Sequence, residues 1–254
     1  MNHTLTDYRV LIQRSLRHIF RERDQLLSLF MQPIMFMLLF RYVFGGAINT
    51  GGVSYINFLV AGILVQTASF GATTTAFSVT SDLQKGIVDR LKSLPIASSG
   101  LLVGHVFADL VRNIISAAVM LAVAFAIGFR PTASVSEWFL ILGVLLLWTL
   151  ALSWLSAILG IYAKSVEAVQ WLTFMIIFPL TFASAAFVPT ESMPKYLRIF
   201  AEHQPVTQVI EALRSLMVGT PMGNHALAAI IWSVGIIIVS VPTAIYLFKN
   251  KVSK

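Results

Sequence analysis

Hydrophobic residues are gathered into six long runs along the chain, and polar residues are concentrated in the segments between them. A helix needs about 20 mostly apolar residues to cross a bilayer, and each run is near that length or longer. The pattern therefore predicts an all-α integral membrane protein with six transmembrane helices. Their approximate ranges are 26–44, 55–80, 101–127, 138–162, 168–188 and 225–248.

The segment before the first run, residues 1–24, has the pattern of an amphipathic helix. At about 100° per residue, its apolar side chains share one half of the helix and its basic side chains the other. The basic half includes Arg14, Arg17 and Arg21. Such a helix typically lies along a membrane surface, so we predict a cytoplasmic interface helix followed by one transmembrane domain, residues 25–254. The alternative is a basic flank that only sets orientation.

The loop after the second run, residues 81–99, also shows helical periodicity. Ser81 and Asp82 can cap a helix and Pro95 can end it, which predicts a short cytoplasmic helix over residues 82–94. Its apolar face holds Leu83, Ile87, Leu91 and Leu94. The charged residues fall elsewhere or at its start, and they are Asp82, Lys85, Asp89, Arg90 and Lys92. The mixed charge favours a protein partner over anionic lipid. The alternative is an element that only stabilises the turn between two spans.

Polar residues within two of the runs are candidates for function. The second run is rich in small and hydroxyl residues between Ser69 and Ser78, which suit close helix packing or could line a polar path. In the third run, Asp109 and Arg112 have ion-pair spacing on a helix. An ionisable residue inside a span is by default a functional candidate. The alternative is an ion pair that only orients the helix.

The segment between the fifth and sixth runs, residues 189–219, contains two short helical patterns. Ser192 and Pro194 can start the first, and Pro205 can start a second that stops at Gly219. Neither is long enough to cross a bilayer, so we predict an outer re-entrant helical hairpin. Its candidate polar and turn residues are Glu191, Pro205, Glu211 and Arg214.

Composition excludes several classes of protein. Of the 254 residues, 57% are hydrophobic and 11% are charged, whereas a soluble domain has about 25% charged residues. A soluble enzyme, a disordered chain and a nucleic-acid-binding protein are therefore not expected. The net charge of +7 is explained by basic residues retained in the cytoplasm. Most of them lie on one side if both termini are cytoplasmic, which predicts an N-in, C-in topology.

The sequence contains no motif for catalysis or for nucleotide binding. It has no cysteine, no G-x-x-x-x-G-K-[ST] phosphate loop, no H-E-x-x-H and no G-x-S-x-G. Its five histidines are scattered without ligand spacing. We therefore predict no catalytic residues, no metal site and no cofactor bound by this chain.

The chain resembles the membrane subunits of ABC-2 type transporters, of the daunorubicin-resistance type. The stretches that carry the resemblance are Leu39-Phe-Arg-Tyr-Val-Phe-Gly-Gly46, Leu94-Pro-Ile-Ala-Ser-Ser-Gly100, Ala108-Asp-Leu-Val-Arg-Asn113, Phe187-Val-Pro-Thr-Glu-Ser-Met-Pro194 and Pro205-Val-Thr-Gln-Val-Ile-Glu-Ala-Leu-Arg214. One position departs from the family pattern, because Gln204 replaces the asparagine that often precedes the last short helix. This places the capping of that helix in question.

The resemblance implies a permease subunit of an ATP-driven exporter in a bacterial or archaeal plasma membrane. Two membrane subunits would pair, as a homodimer or a heterodimer, and separate ABC ATPase subunits would hold ATP and Mg. The helix over residues 82–94 would be the coupling helix that docks on the ATPase. Residues 1–24 and 189–219 would be the interface helix and the outer re-entrant element. The expected substrates are amphiphilic, either drug-like molecules or lipids.

Two other classes of function remain for comparison. An ion-coupled secondary transporter would need a coupling-ion site, and Asp109 is the candidate. A membrane enzyme or non-transporting scaffold is the third possibility, and the absence of a nucleophile, base or metal constellation argues against the enzyme.

Overall fold

The computed structural model describes residues 23–48, 50, 52–86 and 99–253, and within these ranges the chain contains helices and no strand. Some residues of the first helix and of the chain ends are described as backbone only. The helices, labelled in chain order, are α1 Arg23–Leu39, α2 Tyr55–Ala72, α3 Thr74–Gln84, α4 Ser99–Ala126, α5 Val135–Tyr162, α6 Val166–Phe182, α7 Lys195–His203, α8 Pro205–Val218 and α9 His225–Ser253. A π-helical turn, Phe40–Phe44, extends α1, and a 3₁₀ turn, Thr190–Ser192, precedes α7.

The prediction of an all-helical fold is confirmed for the residues that the structure describes. In the described ranges, four helical segments are long and apolar enough to cross a membrane, namely Tyr55–Gln84, Gly100–Ala126, Val135–Tyr162 and His225–Lys251. Two shorter apolar helices, Met31–Phe44 and Val166–Phe182, coincide with the first and fifth predicted spans. The count of six crossings and the N-in, C-in orientation stay predictions.

The second predicted span differs from expectation in two ways. It is broken at Thr73 into α2 and α3, and α3 then continues to Gln84. Ser81 and Asp82 lie inside α3, so the prediction that they start a new helix is wrong. The reason is that Asp82 binds His105 of α4, with 3.0 Å between its Oδ2 and Nε2, instead of capping a helix.

The fifth predicted span forms α6, which ends earlier than the apolar run predicts, at Phe182 rather than near residue 188. Tertiary hydrogen bonds replace the next helical turn: Gln204 donates through Nε2 to the carbonyl oxygens of Leu180 and Ala183, at 2.8 and 3.0 Å. The Ser184 hydroxyl donates to the carbonyl of Thr181 at 2.5 Å. The carbonyls of Leu180 and Thr181 in the last turn of α6 are thus satisfied without further helix.

The fourth predicted span begins at Val135, three residues earlier than expected. A capping box holds this end, because Ser134 and Glu137 exchange backbone-to-side-chain hydrogen bonds. The Ser-x-x-Glu pattern is a known helix start signal. The sequence therefore indicated this start, although the boundary of the apolar run did not.

Helix α2 lies at the centre of the packing. The most apolar window of the α2–α3 segment is 83% buried, compared with 22% for α9. Gly62 of α2 lies against the backbone of Ala186, and Gly160 of α5 against the backbone of Ala76. Close backbone approach at small residues is how membrane helices gain van der Waals contact, since lipid offers little hydrophobic drive between them.

Two short helices occupy the predicted hairpin region. Helix α8 begins with Pro205 at its first position and ends at Gly219, whose φ of +72° gives the left-handed cap that glycine adopts readily. Most side chains of α8 are buried, whereas α7 exposes Tyr196, Ile199 and Phe200. Whether this hairpin re-enters the membrane stays a prediction.

Candidate functional site

A cavity of about 680 Å³ opens between α1, α2, α3, α4 and α6, beside the break in the second predicted span. Its walls are largely aromatic, and the rings that line it are Phe36, Phe70, Phe77, Phe174, Phe178 and Phe182. A volume of this size is within the range of small-molecule sites. The cavity is therefore the candidate substrate site.

Helix α6 contributes a ladder of phenylalanines because its aromatic residues recur every four positions. The ring centroids of Phe174 and Phe178 are 4.7 Å apart, and those of Phe178 and Phe182 are 4.1 Å apart. Phe36 of α1 meets Phe182 edge to face at 6.1 Å. Such a wall can bind flat apolar molecules by stacking.

Polar side chains on the cavity wall lack partners within the described part of the chain. The Nε2 atom of Gln66 and the hydroxyls of Thr67 and Thr173 are buried and make no hydrogen bond there. These residues are 3%, 8% and 5% exposed, respectively, so the surrounding helices enclose them almost completely. A buried polar group without a partner costs about 1–3 kcal/mol, and a ligand could supply the missing partner.

The charged pair of the third run lies at the edge of this cavity. The Nη1 atom of Arg112 donates to Oδ1 of Asp109 at 2.5 Å, and both belong to α4. Arg112 lines the cavity, whereas Asp109 is 1% exposed and lies behind it. The arrangement leaves other N–H groups of the guanidinium available to the cavity.

Asp109 also joins α4 to the start of α3. Its Oδ2 accepts hydrogen bonds from the amide of Thr75 at 2.9 Å and from the hydroxyl of the same residue. Ser153 of α5 donates to the same oxygen at 3.4 Å. The Thr75 amide belongs to the first turn of α3, where backbone donors have no helical acceptor and a negative charge is favourable. Asp109 therefore caps α3 from another helix.

The far end of α3 is held as well. Besides the Asp82–His105 contact, the Thr80 hydroxyl donates to the carbonyl of Gly160 at 2.8 Å, and Gln84 donates to the carbonyl of Lys164 at 3.0 Å. Together with Asp109, these bonds fix α3 on α4, on α5 and on the loop that follows α5. Of the proposed coupling residues, Asp82, Leu83 and Lys85 belong to this end or follow it directly.

Several predicted residues lie outside the described part of the chain. They are the interface-helix arginines Arg14, Arg17 and Arg21, and the coupling-helix residues Ile87, Asp89, Arg90 and Leu91. Their predicted roles stay predictions.

In the hairpin region, Arg214 is a buried residue with several tertiary contacts. It is 3% exposed and donates to the carbonyl oxygens of Phe58 at 3.2 Å and Ala185 at 2.6 Å. Its guanidinium carbon lies 3.6 Å from the centre of the Phe58 ring, and Glu211 accepts from Nη1. Arg214 thus ties α8 to α2 and to the turn after α6.

The other hairpin residues have different surroundings. Glu191 is exposed in the 3₁₀ turn, and Pro205 forms the first position of α8. On α7, Arg198 donates through Nε to Glu202 at 2.6 Å, and this hydrogen bond lowers the pKa of Glu202 below its usual value. Gln204 makes no side-chain cap for α8, since its amide is directed to the end of α6.

Sequence reasoning missed Gln66, Thr173 and His105. Each lies in a mostly apolar run with no periodic pattern of polar residues around it, so the sequence gives no signal for its role. For the hydroxyl-rich stretch of the second run, the sequence allows either close helix packing or a polar path. The structure supports each interpretation for different residues. Thr73 and Thr74 line the cavity, whereas the Ser69 hydroxyl donates inside the packing to the carbonyl of Val65.

The described residues hold no cluster of three or more histidine, aspartate or glutamate side chains that could bind a metal. The cavity instead combines an aromatic wall with a few hydrogen-bonding groups. This chemistry suits reversible binding of an amphiphilic molecule.

A family model described as ABC-2 type transporter matches residues 6–218. The daunorubicin resistance ABC transporter permease protein DrrB1 of Streptomyces coeruleorubidus is 29% identical over 227 residues, covering 89% of this chain and 80% of that protein. The probable doxorubicin resistance ABC transporter permease protein DrrC of Mycobacterium tuberculosis (strain CDC 1551 / Oshkosh) is 26% identical, covering 84% and 78%. The inner membrane transport permease YadH of Escherichia coli (strain K12) is 22% identical, covering 72% of each.

The family match covers most of the chain, and it includes the break between α2 and α3, the Asp109–Arg112 pair and α8. The relatives are named as permeases, and the apolar helices are those of a multi-pass membrane protein. The chain therefore belongs to the ABC-2 type transporter family.

Proposed function

We propose that this chain is the permease subunit of an ATP-driven exporter for amphiphilic compounds, drug-like molecules or lipids. The observation that carries the proposal is the aromatic cavity with unpartnered polar groups, set between apolar helices of an ABC-2 type permease. Relatives named for daunorubicin and doxorubicin resistance support a drug-like substrate. Their bacterial sources support a bacterial or archaeal plasma membrane.

The proposal includes partners that supply energy and complete the pathway. Separate ABC ATPase subunits would bind ATP with Mg, because this sequence has no phosphate loop. A second permease subunit, identical or different, would pair with this one, and the interface helix over residues 1–24 would lie on the cytoplasmic membrane surface. Family membership supports both partners.

Coupling would run through the segment over residues 82–94. ATP must bias a two-state element through contacts that differ between its states. Helix α3 leads into this segment and is held to α4 and α5 by the hydrogen bonds of Asp109 and Thr80. Gln84 holds it to the loop after α5. A displacement at the ATPase surface would therefore move α3, α4 and α5 together and change the shape of the adjoining cavity.

The ion-coupled alternative finds less support in the geometry. A coupling-ion site needs a carboxylate that is free to exchange its ion, and Asp109 is occupied by Arg112, Thr75 and Ser153. A carboxylate with these partners is better suited to holding helices together.

The test is transport by the complex. The chain is co-expressed with the ATPase encoded nearest to its gene, and inside-out vesicles are assayed with a fluorescent amphiphile. We expect accumulation that requires ATP, co-purification of the two proteins, and loss of accumulation when the lysine of the ATPase phosphate loop is replaced. Accumulation driven by an ion gradient in vesicles that contain this chain alone would overturn the proposal in favour of the secondary transporter.

A further inference from the structure

Several polar groups of the cavity wall have hydrogen-bond donors that the described part of the chain leaves unused. Arg112 carries only donors. Gln66 presents an unpartnered amide nitrogen, and Thr67 and Thr173 present unpartnered hydroxyls. Among the described residues that line the cavity there is no aspartate or glutamate, and Arg112 is the only charged side chain.

Asp109 holds one end of the Arg112 guanidinium and so determines which of its N–H groups face the cavity. Asp109 is held behind the wall by Thr75 and Ser153, and it anchors one end of the guanidinium. The acceptor oxygens of the pair are therefore used inside the protein, while donor groups remain on the cavity side. The pair is neutral as a whole, but the part of it that a ligand meets is positive.

We propose that the cavity binds aromatic compounds that carry hydrogen-bond-accepting oxygens, and that it prefers neutral or anionic forms to cationic ones. Arg112 is the residue that selects charge, and Asp109 is a positioning residue that holds Arg112 in place. The inference rests on the proposed function in taking this cavity as the transport site.

Two physical effects lead to this preference. The phenylalanine ladder of α6 stacks against any flat ring and does not discriminate by charge. Electrostatic attraction in a site of low dielectric is stronger than in water, so an acceptor beside Arg112 is stabilised and an ammonium there is repelled. Threonine hydroxyls and the Gln66 oxygen can also accept hydrogen bonds, so discrimination by charge depends on Arg112.

The experiment compares three probes with one ring system: 2-naphthoate, 2-naphthamide and 2-naphthylmethylammonium. Full-length protein in nanodiscs of zwitterionic lipid is dialysed against each probe, without ATP or ATPase, and binding to empty nanodiscs is subtracted. We expect naphthoate and naphthamide to bind at least about five-fold more tightly than the ammonium, as an interaction of ~1 kcal/mol predicts.

Four variants test which side chains cause the preference of the cavity for neutral and anionic probes. The neutral pair Asp109→Asn with Arg112→Gln should bring naphthoate and ammonium within about two-fold of each other, while Arg112→Lys keeps the preference for the anion. Thr173→Val should weaken naphthamide binding. Ser240→Ala is the matched control, because Ser240 is also buried and unpartnered among the described residues but lies on α9, away from the cavity.

Equal binding of the ammonium by the unmodified protein would overturn the proposal, as would an unchanged preference in the neutral pair. If the neutral pair does not fold, a loss of the preference in Arg112→Lys would overturn it. The assay uses no ATP, so a missing ATPase partner would leave its result intact. A complex that pumps with ATP but prefers cations in this assay would overturn only this inference.

Discussion

At the scale of single residues, glycine sets how closely neighbouring segments of the bundle approach each other. A Cβ atom built on Gly62 would lie 2.1 Å from the carbonyl oxygen of Ala186, and one on Gly160 would lie 2.6 Å from that of Ala76. Both neighbouring atoms are backbone, so they cannot move aside as a flexible side chain can. Gly143, in the middle of α5, has open space at the same position.

We expect Gly62→Ala to destabilise the protein and Gly143→Ala to have little effect. Overpacking of a close contact typically costs about 1–3 kcal/mol, so the thermal midpoint of the detergent-solubilised Gly62 variant should fall by several degrees. The measurement is fluorescence-detected size exclusion after heating, with the Gly143 variant as the matched control. A Gly62→Ala protein as stable as the control would contradict the packing described for α2.

The Asp109–Arg112 pair allows a prediction of non-additivity. Removing one member of a buried ion pair leaves an unpaired charge and costs about 3–5 kcal/mol, whereas replacing both with neutral groups costs much less. We therefore expect Asp109→Asn and Arg112→Gln each to lower the thermal midpoint strongly, and the double variant to recover part of the loss. Additive losses in this double-mutant cycle would show that the two side chains do not act as a pair.

At the scale of elements, α3 connects the candidate site to the proposed docking segment. One end of α3 is capped by Asp109 beside the cavity, and the other end runs into the coupling segment at Lys85 and Gly86. The φ of +64° at Gly86 turns the chain there. A helix held at both ends moves as a rigid body, which is why we assign it the transmission of motion.

The coupling segment gives a prediction of its own. Ile87→Glu or Leu91→Glu would place a charge on its apolar face, and we expect substrate-stimulated ATP hydrolysis and transport to be lost while membrane insertion is retained. The sequence pattern predicts that Lys92 falls off that face, so Lys92→Gln serves as the control. Hydrolysis and insertion are measured on the same reconstituted complex with the ATPase. Normal coupling in both glutamate variants would remove the docking role from residues 82–94.

At the scale of the whole molecule, topology can be tested directly because the chain has no cysteine. Single cysteines at Asn2, Lys164 and Lys251 should react with a membrane-impermeant maleimide only in inside-out vesicles. Cysteines at Thr132 and Ser192 should react only in cells that keep a sealed plasma membrane after the cell wall and any outer membrane have been removed. The opposite pattern would reverse the predicted orientation, and labelling of Thr132 and Lys164 from the same side would change the number of crossings.

The sequence by itself determined the class of the protein and the positions of most helices. Apolar runs of about 20 residues have few alternatives to a membrane helix, so α4, α5 and α9 coincide with predicted spans. Proline at the start and glycine at the end bounded α8 in advance, because both act through the local backbone. Local chemistry and the length of each run were sufficient for these features.

Only the tertiary structure decided the break at Thr73, the early end of α6 and the composition of the cavity. The break is stabilised by Asp109, and the end of α6 by Gln204, each more than 20 residues away in sequence. The cavity is lined by both Gln66 of α2 and Thr173 of α6. A polar side chain in an apolar run reveals no partner, because its partner is set by how the helices pack.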